Sequence, residues 1–107
     1  MERTDFNELV EFADRMKKVA QISNKGEISN ISVKVLIYLV NEIDALKKPK
    51  IMQSAECIGA NIGGYSYSMV RKAIVELSKN NIIAEERSDI DLRSYEYKLN
   101  DTSVWKI

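Results

Sequence analysis

The chain has 107 residues, with 16 basic and 16 acidic side chains, no histidine and one cysteine. This length predicts a single domain whose core is large enough to be stable without disulfides or metal ions. Because the charges cancel, a general electrostatic attraction to nucleic acid is excluded, and any such binding has to depend on local charge. The lack of histidine also excludes Ser-His and Cys-His catalytic pairs and most zinc sites.

No segment of the sequence predicts a membrane span or secretion. The longest apolar run, residues 35–40, is far shorter than the roughly 20 residues that cross a bilayer. The N-terminus is charged and lacks the apolar stretch of a signal peptide, and Cys57 has no second cysteine for an internal disulfide. We therefore expect a cytoplasmic protein that is not an enzyme and has no cofactor, no metal and no membrane partner.

The first predicted element is an amphipathic helix from Asp5 to about residue 21, with Asp5 as its N-cap and Glu8 as the capping-box partner. Its apolar stripe has the three-four spacing of one helical face: Phe6, Leu9, Ala13, Met16 and Ala20, widened by Val10, Phe12 and Val19. Two heptads are too few to establish a coiled coil. Two interpretations stay open, because the stripe can pack on its own domain or form a homodimer with a second copy of the chain.

A second helix is predicted after a loop over residues 23–26, beginning near Ser29 or Asn30 and ending at about Leu46. The run from residue 35 to 40 alone could be a strand, but length favours a helix, since one apolar face continues over four turns. That face consists of Ile31, Val35, Leu39, Ile43 and Leu46. The middle of this helix is apolar on nearly all sides, which predicts the buried spine of the domain.

A basic loop follows the second helix and contains Pro49, the only proline. Its three lysines, Lys47, Lys48 and Lys50, either contact phosphates or are simply solvated. Residues 51–52 are predicted to form a brief strand that pairs with a hairpin further along the chain.

A short helix and a glycine turn come next. The helix covers about residues 54–62, with Ser54 as its cap and with an inward face of Ala55, Ile58 and Ile62. Gly63 and Gly64 then supply a turn in which a positive φ costs little.

The longer helix begins after Ser66, whose hydroxyl can cap it, and ends at Asn80 and Asn81. Its inward face is predicted to be Val70, Ala73, Ile74 and Leu77. The residues left free to meet solvent or a ligand are Tyr67, Ser68, Arg71, Lys72 and Val75.

Two strands, over residues 82–84 and 95–99, bracket a polar tip at residues 88–94. Together with the two helices before them, they follow the order of a winged helix-turn-helix, a mainly α fold with a small β-hairpin (α+β), here with an additional N-terminal helix. The single domain, residues 1–107, then divides into the N-terminal helix and loop (1–24), the core (28–99) and a C-terminal tail (100–107). In the tail, Trp105 is predicted to dock on the core.

Local charge favours the two-helix segment as a DNA-binding surface. Residues 46–72 carry five basic side chains and one acidic one, a net +4, whereas residues 73–93 carry three and five, a net −2. Arg71 is predicted to read a guanine edge in the major groove. The other predicted contacts to bases or phosphates are Tyr65, Tyr67, Ser68, Lys72, Lys47, Lys48, Lys50, Arg87 and Arg93. Asp89 and Asp91 at the hairpin tip oppose such binding, since they would face the DNA backbone.

Two stretches resemble known DNA-binding proteins. Residues 66–77, SYSMVRKAIVEL, followed by Asn-Ile-Ile at 81–83, resemble the helix and strand of bacterial winged-helix regulators, including MarR-like ones. The ending YKLNDTSVWK, at 97–106, is similar to the close of the origin-binding domains of phage replication protein O and plasmid RepL-type initiators.

This resemblance covers about residues 32–107. It implies a phage- or plasmid-type protein that binds double-stranded DNA sequence-specifically and regulates transcription or replication at an operator or origin. Such proteins often bind two half-sites as dimers. The alternative is a winged-helix module that binds protein and not DNA, with Tyr65, Tyr67 and Met69 as its partner surface.

Overall fold

The computed structural model describes residues 3–26, 28–47, 50–87 and 94–106. In chain order, its helices and strands are α1 (Arg3–Lys25), α2 (Asn30–Leu46), β1 (Lys50–Ser54), α3 (Ala55–Asn61), α4 (Tyr67–Lys79), β2 (Ile83–Arg87), β3 (Ser94–Leu99) and a 3₁₀ turn (Thr102–Val104). The described part of the chain is mainly helical with a small antiparallel sheet, which confirms the expected α+β class.

The sheet has three strands in the order β1-β3-β2, and both pairings are antiparallel. Tyr97 lies at its centre, opposite Ile51 of β1 on one side and Glu85 of β2 on the other. The brief strand expected at residues 51–52 is therefore confirmed, and it is longer than predicted. The hairpin strand β2 begins one residue later than predicted, because the Ile82 amide bonds back to the Leu77 carbonyl oxygen at the end of α4 (3.0 Å).

Helix α2 forms the centre of the core, as its apolar composition predicted. It contacts α1, α4, β1 and β3, and its middle residues Val35, Leu36, Leu39 and Val40 have no exposed surface. Leu46, placed on the buried face by its spacing, is instead 49% exposed. It occupies the last turn of α2, beyond the region that the neighbouring elements cover.

Helix α1 is longer at both ends than the sequence predicted. It begins at Arg3, so Asp5 lies inside the helix and is not its N-cap, and it continues to Lys25 through most of the predicted loop. No proline or glycine interrupts it before Gly26, which has φ +67° and whose amide bonds to the Ile22 carbonyl oxygen. The first effective stop signal is thus a left-handed glycine, as at many helix ends.

The extension changes which face of α1 is buried. Val19 and Ile22 are buried in the common core, and Phe12 and Met16 pack partly against it. Of the predicted stripe, Leu9, Val10, Ala13 and Ala20 are exposed, Phe12 and Met16 are half-buried and Val19 is buried, while the side chain of Phe6 lies outside the described residues. The helix does pack on its own domain, but it does so through one edge of the stripe, where Phe12 and Val19 are joined by Ile22 and supply more apolar surface than the alanines do.

The C-terminal tail closes over the end of α4. Trp105 is buried, as predicted, and its indole Nε1 donates to the Asn100 carbonyl oxygen (3.0 Å). The amide of Lys106 donates to the Asn80 carbonyl oxygen (2.8 Å), and the Asn81 side-chain amide donates to the Val104 carbonyl oxygen (3.1 Å). The last two bonds satisfy carbonyl groups that the ends of α4 and of the 3₁₀ turn leave free.

A close approach at Gly59 determines how α3 turns into α4. Its carbonyl oxygen accepts bonds from the amides of Gly64 (2.9 Å) and Tyr65 (3.1 Å), while Gly63 and Gly64 take positive φ values of +124° and +84°. A Cβ atom on Gly59 would overlap the Tyr65 carbonyl oxygen. Only glycine therefore fits at this position without moving the turn.

A half-buried carboxylate link joins α4 to the start of α2. Glu76 Oε1 accepts bonds from the Ser32 hydroxyl (2.6 Å) and the Ser29 amide (2.9 Å). The bond from Ser32, and then those from Ser29, lower the pKa of Glu76 below its ordinary value of 4.5 against the opposing effect of burial. A negative charge at a helix N-terminus is also favoured by the helix dipole.

Replacing Gly59 tests the close approach. In an ordinary helix, Gly→Ala stabilises by about 0.5–1 kcal/mol. We expect Gly59→Ala to lower the free energy of unfolding instead, by about 1–3 kcal/mol, because the methyl group overpacks the turn. Urea unfolding followed by circular dichroism measures this. The control is Ala60→Gly, at an exposed position of α3, which measures the difference in helix propensity between alanine and glycine. A Gly59→Ala variant as stable as the parent would contradict the packing explanation.

Acid unfolding tests the link from Glu76 to α2. Because its pKa is lowered in the folded protein, Glu76 stabilises the fold above its ordinary value of 4.5, and this stability is lost as the pH falls below that value. We expect Glu76→Gln to cost about 1 kcal/mol at pH 7 and to make the loss of stability between pH 6 and pH 3 smaller than in the parent. Glu11→Gln, at an exposed site on α1, should leave that loss unchanged. Equal pH profiles for parent and Glu76→Gln would show that the link contributes nothing.

Candidate functional site

One side of α4, the helix that follows the glycine turn, is exposed along its length, and we call it the outer face of α4. Its members recur at helical spacing and are all exposed: Ser68, Met69, Lys72, Val75 and Lys79. The opposite side of the helix is buried, as predicted from the spacing of its apolar residues. Ser66 caps the start of α4, and its hydroxyl accepts a bond from the Met69 amide (3.3 Å), which confirms the predicted N-cap.

The outer face of α4 carries positive charge. Lys72 and Lys79 are exposed on it, and the only acidic residue of the helix, Glu76, has its carboxylate directed to the start of α2. Met69 and Val75, each about two-fifths exposed (41% and 42%), place apolar surface between the lysines. The outer face thus combines two cations with an apolar strip and no outward carboxylate of its own.

Arg71, the predicted base-reading residue, lies beside this face in a paired state. Its two terminal nitrogens donate to both carboxylate oxygens of Glu85 on β2 (2.9 and 3.2 Å), and its guanidinium stacks 4.6 Å from the centre of the Tyr95 ring. The side chains of Arg71 and Glu85 are only 22% and 21% exposed. The bidentate bond to Glu85 raises the pKa of Arg71, and burial is the main cause that raises the pKa of the neighbouring Tyr97. Arg71 therefore joins α4 to the hairpin.

Tyr65 and Lys34 form a second cationic position next to the turn. Lys34, on α2, donates from Nζ to the Tyr65 hydroxyl (2.6 Å) and lies 5.0 Å from the centre of the Tyr65 ring. Tyr67, in the first turn of α4, is half exposed. The sequence did not point to Lys34, because 31 residues separate it from Tyr65. Lys79 was missed too, although its spacing of seven from Lys72 places both on one helical face.

The predicted basic loop is only partly described. Lys47 ends α2 in a left-handed conformation, with its ammonium 3.9 Å from the Asp44 carboxylate. Lys50 begins β1 and forms an ion pair with Glu96 of β3 (2.6 Å). Lys48 and Arg93 lie outside the described residues, as do Asp89 and Asp91 and the side chain of Arg87. The described lysines of this segment thus pair within the fold, and the predicted phosphate contacts at Lys48, Arg87 and Arg93 stay predictions.

A hydrogen-bonded triad holds α3 in position. The Tyr38 hydroxyl of α2 donates to Gln53 Oε1 on β1 (2.6 Å) and accepts from Asn61 Nδ2 at the end of α3 (3.1 Å). Beside it, Lys34, Ile37, Tyr38, Asn61 and Ile62 line a surface groove of about 330 Å³. The triad links three elements, so it fixes the position of α3 relative to α2 and β1.

A double-mutant cycle tests whether Arg71 joins α4 to the hairpin. We expect Arg71→Ala and Glu85→Ala to show a coupling energy of about 1–2 kcal/mol in urea unfolding, since the pair is bidentate and largely buried. The matched control is the Lys50–Glu96 pair, whose side chains are 53% and 31% exposed. Its coupling should be below about 1 kcal/mol. A coupling for Arg71 and Glu85 no larger than that control would contradict the structural role of Arg71.

Comparison with known proteins gives no independent assignment. No protein-family model, curated protein or solved structure matches this chain. Within the described ranges, no helix combines the length and the apolar character needed to cross a membrane. A function therefore has to be inferred from the fold and from the outer face of α4.

Proposed function

We propose that the chain is a winged helix-turn-helix protein that binds double-stranded DNA through the outer face of α4 and so regulates transcription or replication. The order of elements supports this proposal: α3 and α4 joined by a glycine turn, then the β2–β3 hairpin, with β1 as third strand. The main observation in its favour is that the outer face of α4 is exposed and positively charged. It belongs to a capped helix and has two lysines and no outward carboxylate of its own.

The chemistry of this face suits a major groove. The groove is about 12 Å wide and admits one α-helix. Near the start of α4, Ser68 and Lys72 offer donors for base edges, and Lys can bond to guanine O6 and N7. Met69 and Val75 offer apolar contact of the kind that thymine methyl groups accept. Lys79, two turns after Lys72, is then placed to contact a phosphate.

The predicted DNA-binding residues of α4 and of the glycine turn have two different roles in this proposal. Ser68, Lys72 and Tyr67 contact DNA directly, with Tyr65 and Lys34 beside them at the turn. Arg71 acts indirectly, because both carboxylate oxygens of Glu85 already accept its bonds, and it keeps the hairpin in a fixed position relative to α4. In this proposal Lys72 takes over the direct contact that the sequence assigned to Arg71.

A second candidate function, binding to a protein partner, is favoured by the apolar surface at the same place. Tyr67, Met69 and Val75 are each two-fifths to one-half exposed, and aromatic and methionine side chains are enriched at protein interfaces. The two functions need different parts of the outer face. DNA binding depends on the lysines, whereas protein binding depends on the apolar residues.

Fluorescence anisotropy with labelled DNA tests the proposal. We expect the parent to bind DNA from upstream of its own gene more tightly than random duplex, with affinity that falls steeply between 50 and 200 mM salt. Lys72→Gln should weaken specific binding about tenfold, which corresponds to roughly 1.4 kcal/mol. It should also lower the slope of log affinity against log salt concentration by about one.

Lys98→Gln is the matched control, because it removes the same charge from an exposed position of β3, on the face of the sheet opposite to the buried Tyr97. It should bind like the parent. Equal, salt-insensitive binding of parent and Lys72→Gln to both duplexes would refute the DNA-binding proposal. In that case the apolar residues of the outer face become the ones to test, and Met69→Ser is the first variant.

A further inference from the structure

One part of the apolar stripe that the sequence predicted on α1, away from Phe12 and Val19, stays largely uncovered in the folded domain. Leu9 is 53% exposed and Val10 44% exposed, Ala13 and Ala20 are also exposed, and Met16 is half-buried. These residues lie on one side of α1, next to the face that packs on the core. The uncovered residues run from Leu9 to Ala20, which is about 16 Å along the axis of α1, so they form a short apolar strip on the surface.

We infer that a second copy of this chain covers the stripe, with its α1 antiparallel to the first. This inference does not depend on DNA binding. The partner is a second copy of the chain because the charges of one α1 complement those of another α1, and they do so in only one orientation. Residues 3–14 carry one basic and four acidic side chains, a net −3, whereas residues 15–25 carry four basic and no acidic side chains, a net +4.

The orientation follows from this charge separation. In a parallel pair, the two acidic halves would face each other, and so would the two basic halves. In an antiparallel pair, each acidic half faces a basic half. Opposite charges across a helix pair determine register and orientation more than affinity. The helix dipole also favours acids near the N-terminus and bases near the C-terminus. That effect accounts for the charges but not for an exposed leucine beside them.

Side-chain size favours the same orientation. Large and small residues alternate along the stripe, in the order Leu9, Ala13, Met16, Ala20. With a two-fold axis between Ala13 and Met16, Leu9 faces Ala20 of the second copy and Ala13 faces its Met16. Each layer then holds one large and one small side chain, which keeps the distance between the helices even. A parallel pair would alternate layers of two large and two small residues.

The size of the stripe sets the strength of the pairing. One helix face buries less than the roughly 800 Å² per partner of a standard interface. We therefore expect a reversible dimer with a dissociation constant on the order of 10 μM, in which each surface is used symmetrically by both copies.

Sedimentation equilibrium without DNA tests the pairing. Between about 1 and 200 μM, the parent should pass from mainly monomer to mainly dimer, and raising NaCl from 50 to 500 mM should weaken the dimer several-fold. Leu9→Glu should raise the dissociation constant at least tenfold. The control is Leu46→Glu, at a similarly exposed leucine (49%) on α2, which should dimerise like the parent. Circular dichroism verifies that both variants are folded.

Disulfide formation tests the orientation. In a Cys57→Ser background, a mixture of Leu9→Cys and Ala20→Cys chains should form mixed disulfides when oxidised, because these positions face each other in the antiparallel pair. Ala20→Cys alone should not cross-link, since the two copies of residue 20 are then about 16 Å apart along the axis and disulfides need Cα atoms within about 7 Å.

Three results would overturn the inference. The first is a parent that stays monomeric at 200 μM. The second is equal weakening of the dimer by Leu9→Glu and Leu46→Glu, which would place the interface elsewhere. The third is self-cross-linking of Ala20→Cys without mixed disulfides, which would show a parallel pair. Loss of DNA binding with the dimer intact would refute only the proposed function, so the two failures can be distinguished.

Discussion

Burial of α2 is the constraint on which the rest of the structure depends. Its middle turns have no exposed surface, and α1, α4 and the sheet all pack around them. Because α4 has to bury one side against this helix, its other side has to face solvent. The exposed position of the outer face of α4 is thus a consequence of an apolar sequence some thirty residues earlier in the chain, and it needs no ligand to explain it.

Two polar links then fix the rotation of α4 about its axis. Glu76 bonds to the start of α2 on one side of the helix, and Arg71 bonds to Glu85 of β2 on another. Each link takes up a charge that would otherwise point outward, one negative and one positive. The remaining lysines of α4, Lys72 and Lys79, give the outer face its positive charge. Because one charge of each sign is taken up, α4 keeps its two remaining lysines as a locally cationic surface in a chain without net charge.

The spacing of apolar residues predicted the helices well, because it shows which side of a single helix is buried. The buried side of α4, the caps at Ser54 and Ser66 and the spine α2 all follow from local spacing. The partners of polar side chains could not be predicted in this way. Arg71 and Lys34 depend on contacts across 14 and 31 residues, which exist only once the helices are packed. On α1, two apolar faces lie side by side, and spacing alone cannot tell which one meets the core.

The proposed roles of the outer face of α4 and of the α1 stripe have a joint consequence for DNA recognition. Helices α1 and α4 each pack on α2, so a pair of chains joined through α1 carries two copies of α4 related by a two-fold axis. A two-fold protein matches DNA whose half-sites are inverted repeats, at a spacing set by the distance between the recognition helices. In the proposed mode of binding, a monomer would read one half-site, with only the contacts of one outer face. Weak pairing through α1 would therefore make specific binding steeply dependent on protein concentration, since the second half-site is occupied only when the dimer forms.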